Sequence, residues 1–484
     1  MSDKTQILLW MISAEMGGVD RLHPRVTIGT LPDDILLEIF EFYLGKDDPD
    51  IIVDSYNYDG WQTLVHVCRR WRCIMFASPR RLNLKLYCTR RRSVNSKTLD
   101  ILPTLPIVVY SSDLQSNEDV TNVMAALRHH NRVCKIFYNQ FQDSLLEEFA
   151  AMDEPFPALT TLWLFCSRHN LAVLPELFLG GCAPRLRSIY LYRIPYPSIG
   201  TLLSSTTNLV YLTLWRIPRS GYIAPETIVP CLSMLTRLKS LVLGFQHPRS
   251  RLHRASRHLP PLTRLVFPNL TSLCFHGDIE YLEGILSRIE TPMLDYSDFH
   301  FFHQLVIDTP LLGHFTRRTE SLMSISGARV QFRDGGFWLV GQKDTTADIN
   351  RIVLSLQISC EALDWQLSAA AHVSNLFLSS LQALETLEIV VSHEDYQSEI
   401  EVIQWRELLH PFTCVKTMTL ESEDPVRLIS PALQDLARER STLPTLQTLS
   451  LTAYSSQPSG SPKEAIEQFI AMRQSYGQLI TVNY

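Results

Sequence analysis

Three places in this 484-residue chain gather side chains of the kind that bind or transfer chemical groups. Gly336 and Gly341 are spaced like the glycines of a phosphate-binding loop, whose backbone N–H groups cradle phosphate and whose second glycine is followed by lysine. Here Gln342 follows Gly341, and the intervening Phe337-Trp338-Leu339-Val340 reads as a strand, so the segment is taken as a strand and not as a nucleotide loop. His300 and His303 lie beside Phe301 and Phe302. On a strand the two histidines face opposite sides, and no further ligand is placed by spacing, so they read as partly exposed histidines and not as a metal pair. His247 to His258 gathers Arg249, Arg251, Arg254 and Arg257 with three histidines. Clustered arginines grip phosphate or carboxylate in two-pronged fashion, which would suit a phosphorylated partner segment. The commoner reading of such a run is a solvated basic loop. No Gly-x-Ser-x-Gly elbow, His-Glu-x-x-His pair or dinucleotide glycine fingerprint occurs. No catalytic residue, metal ligand or cofactor is therefore assigned.

Composition narrows the classes further. Apolar residues make up 45% of the chain, as in an ordinary folded protein, and its length calls for at least two units or an extended repeat. The net charge of −6 is not gathered into a single-sign domain, so nothing points to nucleic acid. The ten cysteines show no Cys-x-x-Cys spacing and read as reduced core residues. The apolar run Ile7–Ile12 is far below membrane-spanning length, and a lone Lys4 with no small-residue cleavage site makes no signal peptide. Arg90-Arg91-Arg92 is too short to argue nuclear import. The expectation is a soluble intracellular protein, cytoplasmic and/or nuclear, with no membrane contact.

The elements that must position any binding surface begin with Leu31 to Leu86. Pro32 suits a helix start, and Asp33 and Asp34 fall in the first turn, where negative charge complements the helix dipole. Ile35, Leu36, Ile39, Phe40, Tyr43 and Leu44 follow at helical spacing as one broad apolar face. Trp61, Leu64, Val67, Cys68, Trp71, Ile74 and Met75 repeat the pattern after the acidic stretch Gly45–Gly60, which carries Asp47, Asp48, Asp50 and Asp54. Three short helices bury little surface alone and tend to need a neighbour. Periodicity leaves open whether that neighbour is this chain or another.

Leu31-Pro32, the Ile/Leu-rich helix from Ile35 to Leu44, and Leu64-x-x-Val67-Cys68-x-x-Trp71 together resemble an F-box, the helical module that plugs a protein into a ubiquitin-ligase scaffold. The trailing Ser78-Pro79-Arg80-Arg81-Leu82-Asn83-Leu84 resembles the segment that leads many fungal F-box proteins into their next domain. The resemblance covers about a tenth of the chain, with Gly45–Gly60 as an insertion. It implies a three-helix module over 28–86 after an N-terminal tail, 1–27. It further implies docking on a Skp-type adaptor, and through it a cullin, by Leu31, Pro32, Ile35, Leu36, Ile39, Leu64 and Trp71.

Beyond the module one pattern recurs: apolar, two residues, apolar, one residue, apolar. It reads Val133/Ile136/Tyr138, Leu159/Leu162/Leu164, Leu186/Ile189/Leu191, Leu209/Leu212/Leu214, Leu238/Leu241/Leu243 and Leu270/Leu273/Phe275. Weaker copies start at Leu294 and Leu322. Clear ones resume at Val353/Leu356/Ile358, Leu384/Leu387/Ile389, Val415/Met418/Leu420 and Leu446/Leu449/Leu451, with Leu479/Val482/Tyr484 as a possible last copy. First positions are 23 to 33 residues apart, and four successive intervals from Leu322 to Leu446 are 31. This is similar to the strand signature of leucine-rich repeats, whose units stack because none buries its apolar face alone. Most copies lack the ladder asparagine, so the solenoid is irregular. Val120–Arg128, Ser144–Met152 and Glu280–Ile289 read as amphipathic return segments. A cap is expected over about 460–484, with Ser461-Pro462-Lys463-Glu464 as a helix start and Ile466, Phe469 and Ile470 as its apolar side. The predicted class is α/β: an N-terminal three-helix F-box, then over 87–484 an irregular leucine-rich-repeat solenoid with a curved parallel sheet.

Strand alternation puts the variable positions of each repeat on the face opposite the leucines. They read Thr161/Trp163/Phe165, Ser188/Tyr190/Tyr192 and Tyr211/Thr213/Trp215, then turn polar at Gln357, Glu388, Thr419 and Ser450. With adjacent strands about 4.8 Å apart, Trp163, Tyr190, Tyr192, Tyr211 and Trp215 are expected to form one aromatic patch. Either it binds an unidentified target protein or the chain's own loops cover it. The resemblance implies the first: a non-catalytic substrate receptor of a Skp–cullin–F-box ubiquitin ligase. The alternatives are an F-box scaffold that works without a cullin and a repeat interaction module with no role in degradation.

Overall fold

A computed structural model describes residues 28–44, 60–88, 102, 105–111, 117–139, 154–167, 173–248, 264–303, 310–344, 350–360, 362–376, 384–392, 402–421, 423–438, 441–452 and 461–483. The tail 1–27, most of the acidic insertion, the arginine cluster 249–257, and the segments 144–152 and 454–460 lie outside them. The chain divides into two compact units, Met1–Phe137 and Tyr138–Tyr484.

In the first unit, helices α1 (Asp33–Leu44), α2 (Gly60–Val65) and α3 (Arg69–Ala77) form a helical module. Helix α1 starts one residue after Pro32, whose carbonyl accepts from the Leu36 N–H at 3.1 Å. Its buried side carries Leu36 and Phe40, and the Phe40 ring meets Trp71 of α3 edge-on at 4.8 Å. Cys68 caps α3, its sulfur accepting from the Trp71 N–H. Arg70 ties the two helices together. It pairs with Asp33 at 2.6 Å and donates to the carbonyls of Gly29 and Leu31. Trp61 donates its indole N–H to the Lys85 carbonyl at 3.0 Å, just before strand β1 (Leu86–Cys88). β1 pairs in parallel with β2 (Ile107–Ser111). Helix α4 (Asn117–Leu127) and strand β3 (Val133–Asn139) follow, α4 overlapping the return segment expected at Val120–Arg128.

The second unit is a long, curved, largely parallel sheet whose strands alternate with helices. Its strands run β4 (Thr161–Phe165), β5 (Ser188–Tyr192), β6 (Tyr211–Ile217), β7 (Ser240–Phe245), β8 (Leu265–Val266), β9 (Ser272–Gly277), β10 (Ile289–Glu290), β11 (Tyr296–Phe301), β12 (Gly327–Arg333), β13 (Gly336–Lys343), β14 (Arg351–Ser359), β15 (Thr386–Ser392), β16 (Thr417–Glu421), β17 (Thr448–Thr452) and β18 (Thr481–Asn483). β8 and β10 pair with each other alone. The rest form one sheet in the order β4-β5-β6-β7-β9-β11-β14-β13-β12-β15-β16-β17-β18. In the regular copies the first leucine lies two residues ahead of its strand, and the second and third point into the core. Leu186, Ile189 and Leu191 are all at most 2% exposed.

Leu294, read as a weak copy, leads into β11, where Ser297 and Phe299 register with Leu273 and Phe275. Ser297, fully buried at a leucine position, accounts for the weak signal. The stretch after it departs from the expected parallel sheet. β12, β13 and β14 form an antiparallel meander, and β14, not β12, lies beside β11. The two-residue turn Asp334–Gly335 explains it. Gly335 takes φ +93, and Asp-Gly between apolar strands is a strong hairpin signal. The copy assigned to Leu322 is also corrected. Leu322 sits on a short helix, and the residues in register with Leu387 and Ile389 are Ala328 and Val330, led by Ile325. Alanine at a leucine position hid the true unit. The Leu322-to-Val353 interval of 31 therefore does not join neighbouring strands.

Helix α5 (Ile199–Ser205) and its successors α6 (Pro225–Ser233) and α7 (Ile279–Leu286) are among the return segments, α7 overlapping the expected Glu280–Ile289. Near the carboxyl end a helix over Ser461–Ser475 buries Ile466 and Phe469. On the same face lies Arg473, 2% exposed, donating to the carbonyls of Leu436 and Thr442 at 2.7 Å each. The last copy keeps its strand, Val482 registering with Leu449, although Leu479 is 81% exposed.

Candidate functional site

The structure separates the adaptor-facing candidates of the helical module into two groups. Leu36, Leu64 and Trp71 are at most 5% exposed and make up the module's own core. Pro32 is exposed, and Leu31 and Ile39 are half-buried. Ile35 is 39% exposed and Phe42 80%. Residues 35, 39 and 42 follow i, i+4, i+7 spacing, so they line one stripe of α1 directed away from Leu36 and Phe40. The helix is thus apolar on two sides, one of which forms the core of the module. Val67, in the second half of the motif, is 50% exposed. Val67 belongs to the motif but was not among the expected adaptor-facing residues, and Phe42 was not named at all. Phe42 was legible, since it completes the 35/39 stripe.

In the second unit the five predicted aromatic residues lie on the sheet face opposite the core, but not as one patch. Trp163 and Tyr190 register across β4 and β5 and stack at 3.5 Å with planes 4° apart. One position on, Tyr192 stacks on Phe165 at 4.4 Å and 17°. Trp215 registers with Tyr192 but leans away from it, across Gly244, toward His276, whose ring centre is 5.5 Å off. A Cβ on Gly244 would stand 2.4 Å from the indole, so the glycine is what lets the ring lie there. Tyr211, 38% exposed, registers with Ser188 and Ser240, away from the stacks.

The row continues as His276 on His300, stacked at 4.2 Å and 7°. Burial, the neighbouring His300 and then Arg216 hold the His276 imidazole down to about 4, so it is neutral at physiological pH. Burial also lowers His300, against the pull of Asp298. Burial raises the Cys274 thiol to about 11, with Asp298 adding to it, which leaves the sulfur protonated and a poor nucleophile. His300 Nε2 lies 3.1 Å from the Ser359 hydroxyl, and His303 Nδ1 lies 3.2 Å from the Ser359 carbonyl. No metal-binding cluster occurs among the described residues. Gly336–Lys343, spaced like a phosphate loop, is strand β13.

Arg193 and Arg216 were not among the expected site residues. Each directly follows an outward-facing aromatic residue, Tyr192 at the end of β5 and Trp215 within β6, in the related stretches Tyr192-Arg193-Ile194-Pro195 and Trp215-Arg216-Ile217-Pro218. Both guanidinium groups stand over Tyr192, at 5.7 and 5.9 Å from the ring centre. The kinship of the two stretches was the available signal. Farther along the same face the charge changes sign. Glu388 registers with Arg329 and Thr419, and Thr419 with Ser450. Arg329 pairs with both Glu388 and Glu421. Burial raises the Glu388 carboxyl, while Arg329 opposes the shift.

These arrangements offer surfaces for binding: an uncovered apolar stripe on α1, and an aromatic face flanked by arginine. No helix among the described residues is long and apolar enough to cross a membrane. No protein-family model matches the chain, and no curated protein matches it. Among solved structures it is similar to the leucine-rich repeat-containing protein LegL7 from Legionella pneumophila, at 13% identity and a TM-score of 0.30, over 74% of this chain and 97% of that one.

Proposed function

We propose that the chain is a substrate-receptor subunit of a Skp–cullin–F-box ubiquitin ligase, an F-box joined to a leucine-rich-repeat solenoid. The observation that carries this reading is the second apolar side of α1. A solvent-facing phenylalanine at 80% exposure, in line with Ile35 and Ile39, is costly for a surface with no partner. It lies within the stretch that resembles an F-box, where an adaptor would cover it. In this reading the chain performs no bond chemistry. It contributes proximity, holding a target protein on the repeat face and so raising the effective concentration of a target lysine near a ubiquitin-charged enzyme.

The test is co-purification of the full chain with a Skp adaptor and cullin. Ile39→Glu/Phe42→Glu is expected to weaken adaptor retention by about thirtyfold or more, the loss typical of a buried hot spot. Leu31→Ala/Pro32→Ala is expected to weaken it as well. Unchanged adaptor retention by the Glu variant, with an unaltered melting curve, sinks the proposal. An adaptor complex without cullin would replace it with a scaffold role outside degradation.

A further inference from the structure

The aromatic half of the repeat face carries two cations that no carboxylate among the described residues neutralises. Among the described residues Arg288 pairs with Glu226, Arg351 with Asp295, and Arg329, on the same sheet face, with two glutamates. Arg193 and Arg216 pair with no carboxylate among those residues. Arg193 gives one N–H to the Ser167 carbonyl at 2.8 Å, while its Nε is buried without an acceptor. Both hold a left-handed backbone, φ +57 and +52, which a non-glycine residue adopts only at a cost of about 1 kcal/mol or more. Two related units maintain that conformation at the same position, and in both it sets a guanidinium against the Tyr192 ring. Beside them lie the flat stacks Trp163/Tyr190 and Phe165/Tyr192. An arginine resting on an aromatic ring keeps its N–H edge free, and that edge matches the paired oxygens of carboxylate or phosphate.

We infer that this half of the face binds an acidic peptide segment of a partner protein, its anionic group held between Arg193 and Arg216 and its neighbouring side chains laid on the aromatic stacks. The inference rests on the proposed receptor reading and names the chemistry of the target it would take. Charge complementarity selects the occupant. A basic segment meets two cations that no carboxylate among the described residues neutralises, and a purely apolar one offers their guanidinium N–H edges no acceptor.

The experiment uses immobilised full-length protein and nine-residue peptide pools with random flanks and a fixed centre of Asp, Glu, phosphoserine, Ala or Lys. Retention of the anionic pools is expected to exceed the Ala and Lys pools by about tenfold or more and to fall as salt rises. Arg193→Ala/Arg216→Ala is expected to abolish that preference. Trp163→Ala/Tyr190→Ala is expected to lower retention of every pool. Melting curves establish that each variant is folded. Arg193→Lys/Arg216→Lys keeps the charge without the fork, and so gives partial retention even if the alanine variant unfolds. Phosphoserine above Asp and Glu assigns phosphate, and parity assigns carboxylate. Equal retention of all pools, preference for Lys, or an anion preference surviving in the folded alanine variant overturns the inference. Adaptor capture is read in parallel. Its loss with the peptide preference intact removes the ligase reading alone, and its retention without any preference removes this inference alone.

Discussion

His276 shows how one residue reports on the face it belongs to. It is stacked on His300, approached by Trp215, and its Nδ1 is buried without a hydrogen-bond partner. Its folded-state value is about 4, against about 6.5 for the free side chain, chiefly through burial. The unfolded chain therefore takes up a proton first as pH falls. Above about 6.5 neither state is protonated at this site, and below about 4 both are, so stability declines with falling pH across that interval. One proton corresponds to at most about 1.4 kcal/mol per pH unit, and solvent reaching this part-exposed ring reduces it. His276→Gln is expected to flatten the dependence of the urea midpoint on pH between 6.5 and 4 by up to one proton. An identical slope in wild type and variant would assign the dependence elsewhere. That Trp215 faces away from the leucines was legible in the strand alternation of the sequence. The leaning of Trp215 over Gly244 was not, because it depends on the absence of a Cβ one strand away.

At the scale of elements, the leucine grid located most strands and the antiparallel meander escaped it. Regular spacing near 31 residues suggested successive parallel units, yet two of the strands so spaced are separated by β13. The information lay in Asp334-Gly335, a local turn signal that a repeat-length argument passes over. Two neighbouring glycines there do different work. Gly335 has φ +93 and open space around its Cβ position, so Gly335→Ala strains only the backbone and is expected to cost about 1 kcal/mol. On Gly336 a Cβ would sit 2.4 Å from the Ile358 carbonyl oxygen, backbone of the adjacent strand. Gly336→Ala must push β14 away and is expected to cost at least twice as much. Chemical denaturation of both variants checks the ranking, and equal costs would mean the meander yields where β13 meets β14. Helix α1 illustrates the complementary limit. Its periodicity was clear, but with apolar residues on two sides the sequence alone did not say which side is the core.

For the molecule as a whole, the two proposed binding surfaces belong to different compact units, each with its own core. The stripe Ile35, Ile39 and Phe42 is backed by Leu36, Phe40 and Trp71, whereas Arg193 and Arg216 rest on Tyr192. Substitutions that share no partner contribute independently, within about 0.5 kcal/mol. We therefore expect Ile39→Glu/Phe42→Glu to reduce adaptor retention about thirtyfold while leaving retention of acidic peptides unchanged. Arg193→Ala/Arg216→Ala is expected to do the reverse. In the four-substitution chain each loss should equal that of its own double variant. A receptor needs this separation, because its docking end must engage the scaffold whatever target it holds. The measurement is titration of immobilised full-length variants with adaptor in the presence and absence of saturating acidic peptide. If peptide shifted adaptor affinity more than about threefold, the two ends would be coupled, and the chain would act as a switched receptor instead of a plug joined to a reader.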